Sequence, residues 1–190
     1  MLIVVRHGRT IANAAGLLQG RVDHPLDEVG RLQAEMIARA LGAVDRVIAS
    51  PLRRAQETAS ALGLPVETDD RWLELDYGEI DGKAVRDVPD ETWLRWRTDP
   101  DFAPVGGESY AQLHSRVVPA CEELVEESRG RTVVVVSHVS PIKAAIAWAL
   151  GVPGSAAFRC FLDQASISRI DIGRLGPVLR SYNETWHLDA

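Results

Sequence analysis

Short runs of β-prone apolar residues alternate along the chain with segments whose apolar residues recur every three or four positions. Three of the runs have the length and composition of buried strands, and they span residues 2–5, 46–49 and 132–137. After the first run, Leu32 and Ile37 belong to a helical pattern over 27–41. Strands that feed helices in this order predict βαβ units and a mostly parallel sheet covered on both faces.

The second and third strands are each followed by Ser-Pro and then by a helical pattern that stops at glycine. The first pattern starts at Ser50 and runs to about Leu62, and the second starts at Ser140 and runs to Leu150. Serine suits a helix N-cap, proline suits the first turn, and glycine can take the left-handed conformation beyond the last turn. We therefore predict helices that are opened by Ser50 and by Ser140.

Three further elements complete the expected fold. A helix is predicted over about Ser109 to Glu127, opened by a capping box from Ser109 to Gln112, and Pro119 within it predicts a kink or a break. Strands are predicted over 166–172 and 178–182. The complete set is typical of a three-layer α/β/α sandwich with a mostly parallel central sheet.

The chain has 190 residues, of which 46% are hydrophobic, and this is enough for one substantial core. We expect a single domain over residues 1–190. The least regular stretch, at about 73–107, is rich in Asp, Gly and Pro, and we interpret it as an inserted lid or specificity region. Within it, 93–97 either packs the lid or forms a wall that selects the leaving group, and packing is the favoured interpretation.

Charge and cysteine content narrow the class of protein. The 21 Lys and Arg against 27 Asp and Glu give a net charge of −6, which argues against nucleic acid or an acidic membrane as the partner. Cys121 and Cys160 lack metal or redox spacing, so we expect buried free thiols. The sequence shows neither a secretory leader nor 18 consecutive apolar residues, and we expect a cytoplasmic protein that does not enter the membrane.

Polar residues follow the three predicted parallel strands. Arg6 and His7 follow the first, Ser50 to Arg54 follow the second, and His138 follows the third. In open α/β sheets, ligands bind beyond the carboxyl ends of the strands. A neutral imidazole can attack phosphorus, a guanidinium binds phosphate oxygens, and the two helix N-termini would add donors for an anion. A loop histidine with only a structural role is the alternative at each position.

A larger set of residues occurs in one order along the chain and resembles the histidine phosphatase superfamily, in the branch of the cofactor-dependent phosphoglycerate mutases and their phosphatase relatives. The residues that carry the resemblance are Arg6, His7, Gly8, Thr10, Asn13, Gln19, Gly20, Pro25, Leu26, Gly30, Ser50 to Ala55, Thr58, Ala59, Glu74, Tyr77, Gly78, Gly82, Gly106 to Ser109, Ser137 and His138. The resemblance implies a fold like that of phosphoglycerate mutase.

The same resemblance implies roles for individual residues. His7 would be the nucleophile that forms a phosphohistidine, and Glu74 would be the general acid and base. Arg6, Arg54 and His138 would surround the phosphoryl oxygens. Asn13 would add a neutral donor to them. Substrate contacts are expected from Arg9, Thr10, Gln19, Gly20 and Tyr77. No metal and no cofactor are expected.

Two departures from the family pattern bear on function. Arg9 replaces the usual Glu or Gln and adds positive charge, which favours a multiply anionic substrate. Val139 and Ser140 replace the usual two glycines after the second histidine, which puts in doubt a close backbone approach there. For Glu74, residues alone leave open a merely solvated carboxylate, because Asp76, Glu79 and Asp81 lie nearby in sequence.

Three functions follow from these observations. Hydrolysis of a small-molecule phosphomonoester is the leading one. Phosphoglycerate mutation ranks second, because a mutase must shield its phosphohistidine from water and the resembling mutases carry longer insertions. A non-catalytic phosphate-binding module ranks third, since every reactive position holds a competent residue. The resemblance also allows a homodimer.

Overall fold

The structure is a computed structural model that describes residues 1–189. Its six strands form one sheet in the order β3-β2-β4-β1-β5-β6. The strands are β1 (Leu2–Arg6), β2 (Arg46–Ala49), β3 (Val66–Thr68), β4 (Val133–Ser137), β5 (Ile167–Gly173) and β6 (Gly176–Glu184). Strands β1 to β4 pair in parallel, and β5 and β6 add an antiparallel edge next to β1. The sheet is mostly parallel, as expected.

Helices cover both faces of this sheet. The helices are α1 (Ile11–Ala14), α2 (Glu28–Leu41), α3 (Arg53–Ser60), α4 (Asp90–Thr98), α5 (Tyr110–Glu123), α6 (Val125–Gly130) and α7 (Val139–Leu150). Because side chains alternate along a strand, Leu2 and Val4 join one buried cluster with α5 and α7, whereas Ile3 and Val5 join a second cluster with α2 and α3. The two clusters confirm the three-layer α/β/α sandwich.

Of the two helices predicted from Ser-Pro, α3 starts later than the sequence predicts and α7 starts earlier. Helix α3 begins at Arg53 after Leu52, and α7 begins at Val139 directly after His138. The predicted N-caps at Ser50 and Ser140 are therefore wrong. The physical reason is that the Ser50 hydroxyl bonds the His138 ring at 2.8 Å instead of capping a helix. The C-terminal prediction is confirmed, since Gly151 ends α7 in the left-handed conformation at φ 63°.

Helix α5 passes through Pro119 and ends at Glu123. The break predicted at the proline lies instead at Leu124, after which α6 begins. Val117 and Ala120, on either side of the proline, are buried in the core, and this packing offsets the hydrogen bond that a proline cannot donate. The capping box at Ser109 is confirmed.

The buried face of α2 differs from the apolar pattern of its sequence. Leu32 is 55% exposed, whereas Gly30, Ala34 and Ile37 are buried. Gly30 lies so close to the backbone of Arg9 that a Cβ atom would overlap the Arg9 carbonyl oxygen. This contact sets the rotation of α2 and turns Leu32 toward solvent.

The segment 73–107 is more regular than its sequence suggests, because it contains α4 and two 3₁₀ turns, at Gly78–Ile80 and Val85–Asp87. Trp96 of α4 is 2% exposed, and the rings of Tyr77, Trp93 and Phe102 surround it with centroids 5.3–5.8 Å away. These contacts support the packing interpretation of the tryptophan pair. The short strand β3, at the sheet edge, has no clear counterpart in the sequence pattern.

Two minor expectations can be compared with the structure. Both cysteines are free, with Cys121 buried and Cys160 partly exposed, so burial is confirmed only for the first. Over the described residues 1–189, no helix combines the length and the apolar character that crossing a bilayer requires.

Substitution of Gly30 by Ala tests the contact that orients α2. We predict that Gly30→Ala lowers the free energy of unfolding by about 1–3 kcal/mol, because the added methyl group forces apart α2 and the loop that follows β1. Gly130→Ala is the matched control, since a Cβ atom there meets nothing within 4 Å and alanine favours the helix. Urea unfolding measures both, and equal stability of the two variants would contradict the close contact.

Candidate active site

The pairing of β1 with β4 brings two histidines together. Arg6 on β1 is opposite Ser137 on β4, so the residues that follow them, His7 and His138, leave the sheet side by side. The His7 backbone N–H donates to the Ser137 carbonyl at 3.0 Å, and the two ring centroids are 5.1 Å apart. Both histidines are almost fully buried. The predicted meeting of residues at the carboxyl edge of the sheet is confirmed for this pair.

The His7 ring is fixed in one tautomer. Its Nδ1 lies 2.7 Å from the Gly8 carbonyl oxygen, and a carbonyl can only accept, so Nδ1 carries the proton. The Gly8 N–H in turn donates to Thr58 Oγ1 at 3.0 Å, which holds the turn against α3. The lone pair of His7 therefore lies on Nε2, the nitrogen that a nucleophilic role requires.

Arg54 is fully buried in the first turn of α3 and connects three parts of the site. Its Nε donates to His138 Nδ1 at 3.2 Å, and its two terminal nitrogens donate to the carbonyl oxygens of Gly20 at 2.7 Å and Val22 at 2.9 Å. Since His138 Nδ1 accepts from a guanidinium, His138 Nε2 carries the proton and donates to Ser50 Oγ at 2.8 Å. Both histidines are thus neutral, in opposite tautomers.

The electrostatics favour the same protonation states. Burial, followed by the charges of Arg54 and Arg6, holds the pKa of His7 well below its ordinary value, and burial and Arg54 do the same for His138. Burial lowers the pKa of Arg54 to about 10, which leaves it charged at neutral pH. Glu74 is the nearby anion that most favours the charged forms of both arginines.

Glu74 lies at the N-terminus of α7. Its carboxylate oxygens accept the backbone N–H groups of Val139 at 3.0 Å and Ser140 at 3.1 Å, and the N–H of Leu75 at 2.7 Å. Unpaired N–H groups and the helix dipole favour an anion at this place. The sequence predicts that this helix end holds the ligand anion, but in the structure Glu74 takes its first two donors. Glu74 is 3% exposed and is not the merely solvated carboxylate that its acidic neighbours allow.

Three polar side chains that the sequence assigns to phosphate or substrate are those of Arg6, Gln19 and Asn13. The first two each have a buried donor without a partner among the described residues, and the third forms part of a helix cap. Arg6 Nη1 donates to the Leu162 carbonyl at 2.6 Å, while its buried Nε has no partner within residues 1–189. Gln19 accepts from the Thr10 hydroxyl at 2.8 Å, and its buried Nε2 is unpartnered in the same part of the chain. Asn13 Oδ1 accepts the Thr10 N–H at 3.2 Å, in the capping box of α1.

The other expected substrate contacts have roles within the fold. Thr10 is fully buried as the N-cap of α1, and its hydroxyl is used there. Arg9 Nε donates to Asp27 at 2.8 Å, so its charge is paired. Tyr77 packs edge-on against Trp96, and burial followed by the charge of Glu74 raises the pKa of its hydroxyl, which stays protonated.

The sequence places Ser50 at this edge of the sheet only as a helix cap, and it does not single out Asp81. The Ser50 hydroxyl supports His138, and the position of Ser50 directly after β2, next to β4 in a parallel sheet, was a usable signal for that contact. Asp81 accepts the N–H groups of Gly20 and Arg21, both at 2.8 Å, and so holds the loop whose carbonyl oxygens bind Arg54. Asp81 had no sequence signal beyond the glycine that follows it.

The positive charge at the site comes from Arg6 and Arg54. Within residues 1–189, no three His, Cys, Asp or Glu side chains are grouped as a metal ion would require. A neutral histidine with a free Nε2, the buried guanidinium of Arg54, the partly buried guanidinium of Arg6 and a buried carboxylate can together bind an anion, attack it and transfer a proton.

Known proteins resemble this chain in sequence and in fold. The sequence profile of the histidine phosphatase superfamily (branch 1) matches residues 2–185. The chain is 36% identical over 197 residues to phosphoserine phosphatase 1 of Hydrogenobacter thermophilus, covering 98% of this chain and 93% of that protein. It is 33% identical over 205 residues to a probable phosphoglycerate mutase GpmB of Yersinia enterocolitica, covering 99% and 94%. The crystal structure of phosphoserine phosphatase in complex with 3-phosphoglyceric acid, from Entamoeba histolytica, has a TM-score of 0.90 at 29% identity, with 98% of both chains covered.

The lowered pKa of His7 makes stability depend on pH in a definite direction. The unfolded chain binds a proton on this histidine below about pH 6.5, whereas the folded chain does not, so the free energy of unfolding falls as the pH drops below that value. We predict that His7→Asn makes this slope shallower by up to about 1.4 kcal/mol per pH unit between pH 5 and 6.5. Urea unfolding at several pH values measures it. Above pH 7.5 the slopes should agree, and equal slopes at pH 5–6.5 would contradict the neutral, buried His7.

Proposed function

Since the chain belongs to branch 1 of the histidine phosphatase superfamily and is 36% identical to phosphoserine phosphatase 1, we propose that it hydrolyses small phosphomonoesters through a phosphohistidine on His7. The observation that carries the proposal is the state of His7, which is neutral, bonded through Nδ1 to Gly8 and flanked by the charges of Arg6 and Arg54. A nucleophile for phosphorus needs a free lone pair and a positive field for the phosphoryl oxygens, and this residue has both.

The first step of the proposed reaction transfers the phosphoryl group to the enzyme. The Nε2 lone pair of His7 forms the new N–P bond while the ester O–P bond breaks. Glu74, a carboxylate in the free enzyme, takes up a proton from solvent as the substrate anion binds and gives this proton to the leaving oxygen, which departs as the alcohol. The proton on His7 Nδ1 stays bonded to Gly8 and lets the ring carry the positive charge that develops on attack.

The second step regenerates the enzyme with water as the nucleophile. The carboxylate of Glu74 accepts a proton from the water. The water oxygen forms a bond to phosphorus while the N–P bond to His7 breaks. Inorganic phosphate leaves, His7 is neutral again, and Glu74 returns its proton to solvent. The proton taken up when the substrate binds is therefore released with the product.

We assign phosphoryl binding to Arg6, Arg54, His138 and Asn13, with Gln19 as a further donor. The buried and unpartnered Nε of Arg6 and Nε2 of Gln19 support this assignment, because buried donors are rarely left unbonded and an anion would bond them. His138 contributes through its contact with Arg54 and its closeness to His7. We keep the proposal that Gly20 and Tyr77 contact the substrate. Arg9 and Thr10 are weaker candidates, because their side chains already form hydrogen bonds within the protein.

We further propose one domain in which 73–107 covers the site and shapes its leaving-group side. Glu74 and Tyr77 stand at the start of this segment, and Tyr77 is packed against Trp96. Similar proteins are named for phosphoserine, and one was crystallised with 3-phosphoglyceric acid. Substrates of that size are the class that we propose for this chain.

Release of phosphate by the wild type and by His7→Ala tests the proposal. With O-phosphoserine, 3-phosphoglycerate and p-nitrophenyl phosphate as substrates, we predict that His7→Ala lowers kcat by about 10⁴-fold or more on each, because the covalent step is lost. His114→Ala, which changes a partly buried histidine of α5 that no step of the proposed reaction uses, is the matched control and should retain wild-type kcat. Unchanged release by His7→Ala would instead support a phosphate-binding module whose measured activity is a contaminant.

The same assay separates hydrolysis from mutation. We predict that phosphate appears without added bisphosphoglycerate and that 2- and 3-phosphoglycerate do not interconvert faster than they are hydrolysed. Proton NMR of the two isomers measures the interconversion directly. Interconversion that outpaces phosphate release would make the chain a mutase and overturn the phosphatase proposal.

A further inference from the structure

Arg116 of α5 contacts the backbone on both sides of the Glu74 side chain. Its Nη1 donates to the Arg71 carbonyl at 2.6 Å, and its Nη2 reaches the Glu74 carbonyl at 3.2 Å. The same guanidinium group forms two bonds with the carboxylate of Glu108, from Nε to Oε1 at 2.7 Å and from Nη2 to Oε2 at 2.9 Å. This planar group therefore connects α5, and Glu108 just before it, to the loop that carries Glu74.

Glu108 completes the connection on the far side of Glu74. Its backbone N–H donates to the Asp76 carbonyl at 2.9 Å, and its Oε2 lies 3.4 Å from the Asp76 N–H. Arg21 adds a longer contact to the same carboxylate at 3.5 Å. Hydrogen bonds from Arg116 and Glu108 therefore hold the loop at Arg71, Glu74 and Asp76. The Glu74 carboxylate itself is held by the N-terminus of α7.

We propose that Arg116 and Glu108 are positioning residues that hold Glu74 at the distance from the phosphoryl group where it can transfer a proton. This inference rests on the proposed acid and base role of Glu74. Neither positioning side chain is assigned a contact with the reacting atoms, and both act through the backbone of 71–76. Four of the loop's backbone polar groups are used, which is more than an ordinary surface ion pair would provide.

The exposure of the pair supports a role beyond surface charge. The Arg116 and Glu108 side chains are 18% and 14% exposed, so the ion pair is largely removed from water. Such a pair gains little net stability against its desolvation, but removing one partner leaves the other charge uncompensated. A displacement of about 1 Å at a catalytic group can cost about 100-fold in rate, so a small shift of this loop would be visible in kcat.

The leaving-group dependence of kcat/KM, which covers the reaction up to the phosphohistidine, distinguishes positioning of an acid from general damage. p-Nitrophenolate departs with little help from an acid, whereas the alkoxide of O-phosphoserine needs a proton. We expect Arg116→Lys, which keeps the charge but loses the fork of donors, to lower kcat/KM on O-phosphoserine by about 10- to 100-fold. The kcat/KM on p-nitrophenyl phosphate should fall less than about threefold, whereas kcat on both substrates also includes hydrolysis of the common phosphohistidine, in which Glu74 is the base.

Four further variants make the test complete. Glu74→Gln should show the same leaving-group selectivity, and Arg116→Lys in the Glu74→Gln background should have no additional effect, because the group being positioned is gone. Arg180→Lys, which changes an arginine of β6 that pairs with Asp171 of β5, is the matched control and should retain wild-type kinetics. Glu108→Gln is the second positioning variant, used with Arg116→Lys in case that chain does not fold.

The possible results separate the positioning role of Arg116 and Glu108 from the acid role of Glu74. Equal losses on both substrates, or a further loss from Arg116→Lys in the Glu74→Gln background, would overturn the positioning role while leaving the proposed function intact. Absence of leaving-group selectivity in Glu74→Gln would overturn the acid role of Glu74 itself, and the positioning role with it. Selective losses in both positioning variants that vanish without Glu74 would establish the inference.

Discussion

Enclosure of two neutral histidines beside two guanidinium charges is the constraint on which the site depends. Burial of the two rings, followed by the charges of Arg54 and Arg6, lowers the pKa values of His7 and His138, and both rings stay neutral. Arg54 is fully buried, and the cost of burying its charge is offset by carbonyl oxygens and by the anion of Glu74. These features support the proposal that the site binds a phosphoryl group and attacks it with an uncharged nucleophile.

The parallel sheet provides the rigidity that this arrangement needs. The site residues come from the ends of neighbouring strands, and the register of β1 against β4 fixes the distance between the two histidines. The N-terminus of α7 is bound by an internal carboxylate instead of by a ligand. The helix end thereby fixes Glu74, and the arginine side chains are left to bind the substrate anion.

The sequence predicts the layers, the parallel strands and the meeting of His7, Arg54 and His138, because strand periodicity and turn residues are local signals. It fails where long-range contacts decide. Leu32 fits a helical apolar stripe, but the close approach of Gly30 to Arg9 rotates α2 and exposes it. Ser50 has the features of a helix cap, but its hydroxyl bonds a histidine from another strand. The ion pair of Arg9 with Asp27 and the support of Glu74 by α7 likewise depend on residues distant in sequence.

In the proposed reaction His7 Nε2 carries the phosphoryl group during turnover, and the decisive experiment is to trap that group. A millisecond quench in alkaline detergent preserves phosphohistidine, and mass spectrometry of the digested chain then locates the phosphate. We expect a phosphoryl group on His7 that forms before product phosphate appears and that decays as phosphate is released. Release of phosphate with an unmodified His7, or a phosphoryl group on His138 instead, would contradict it.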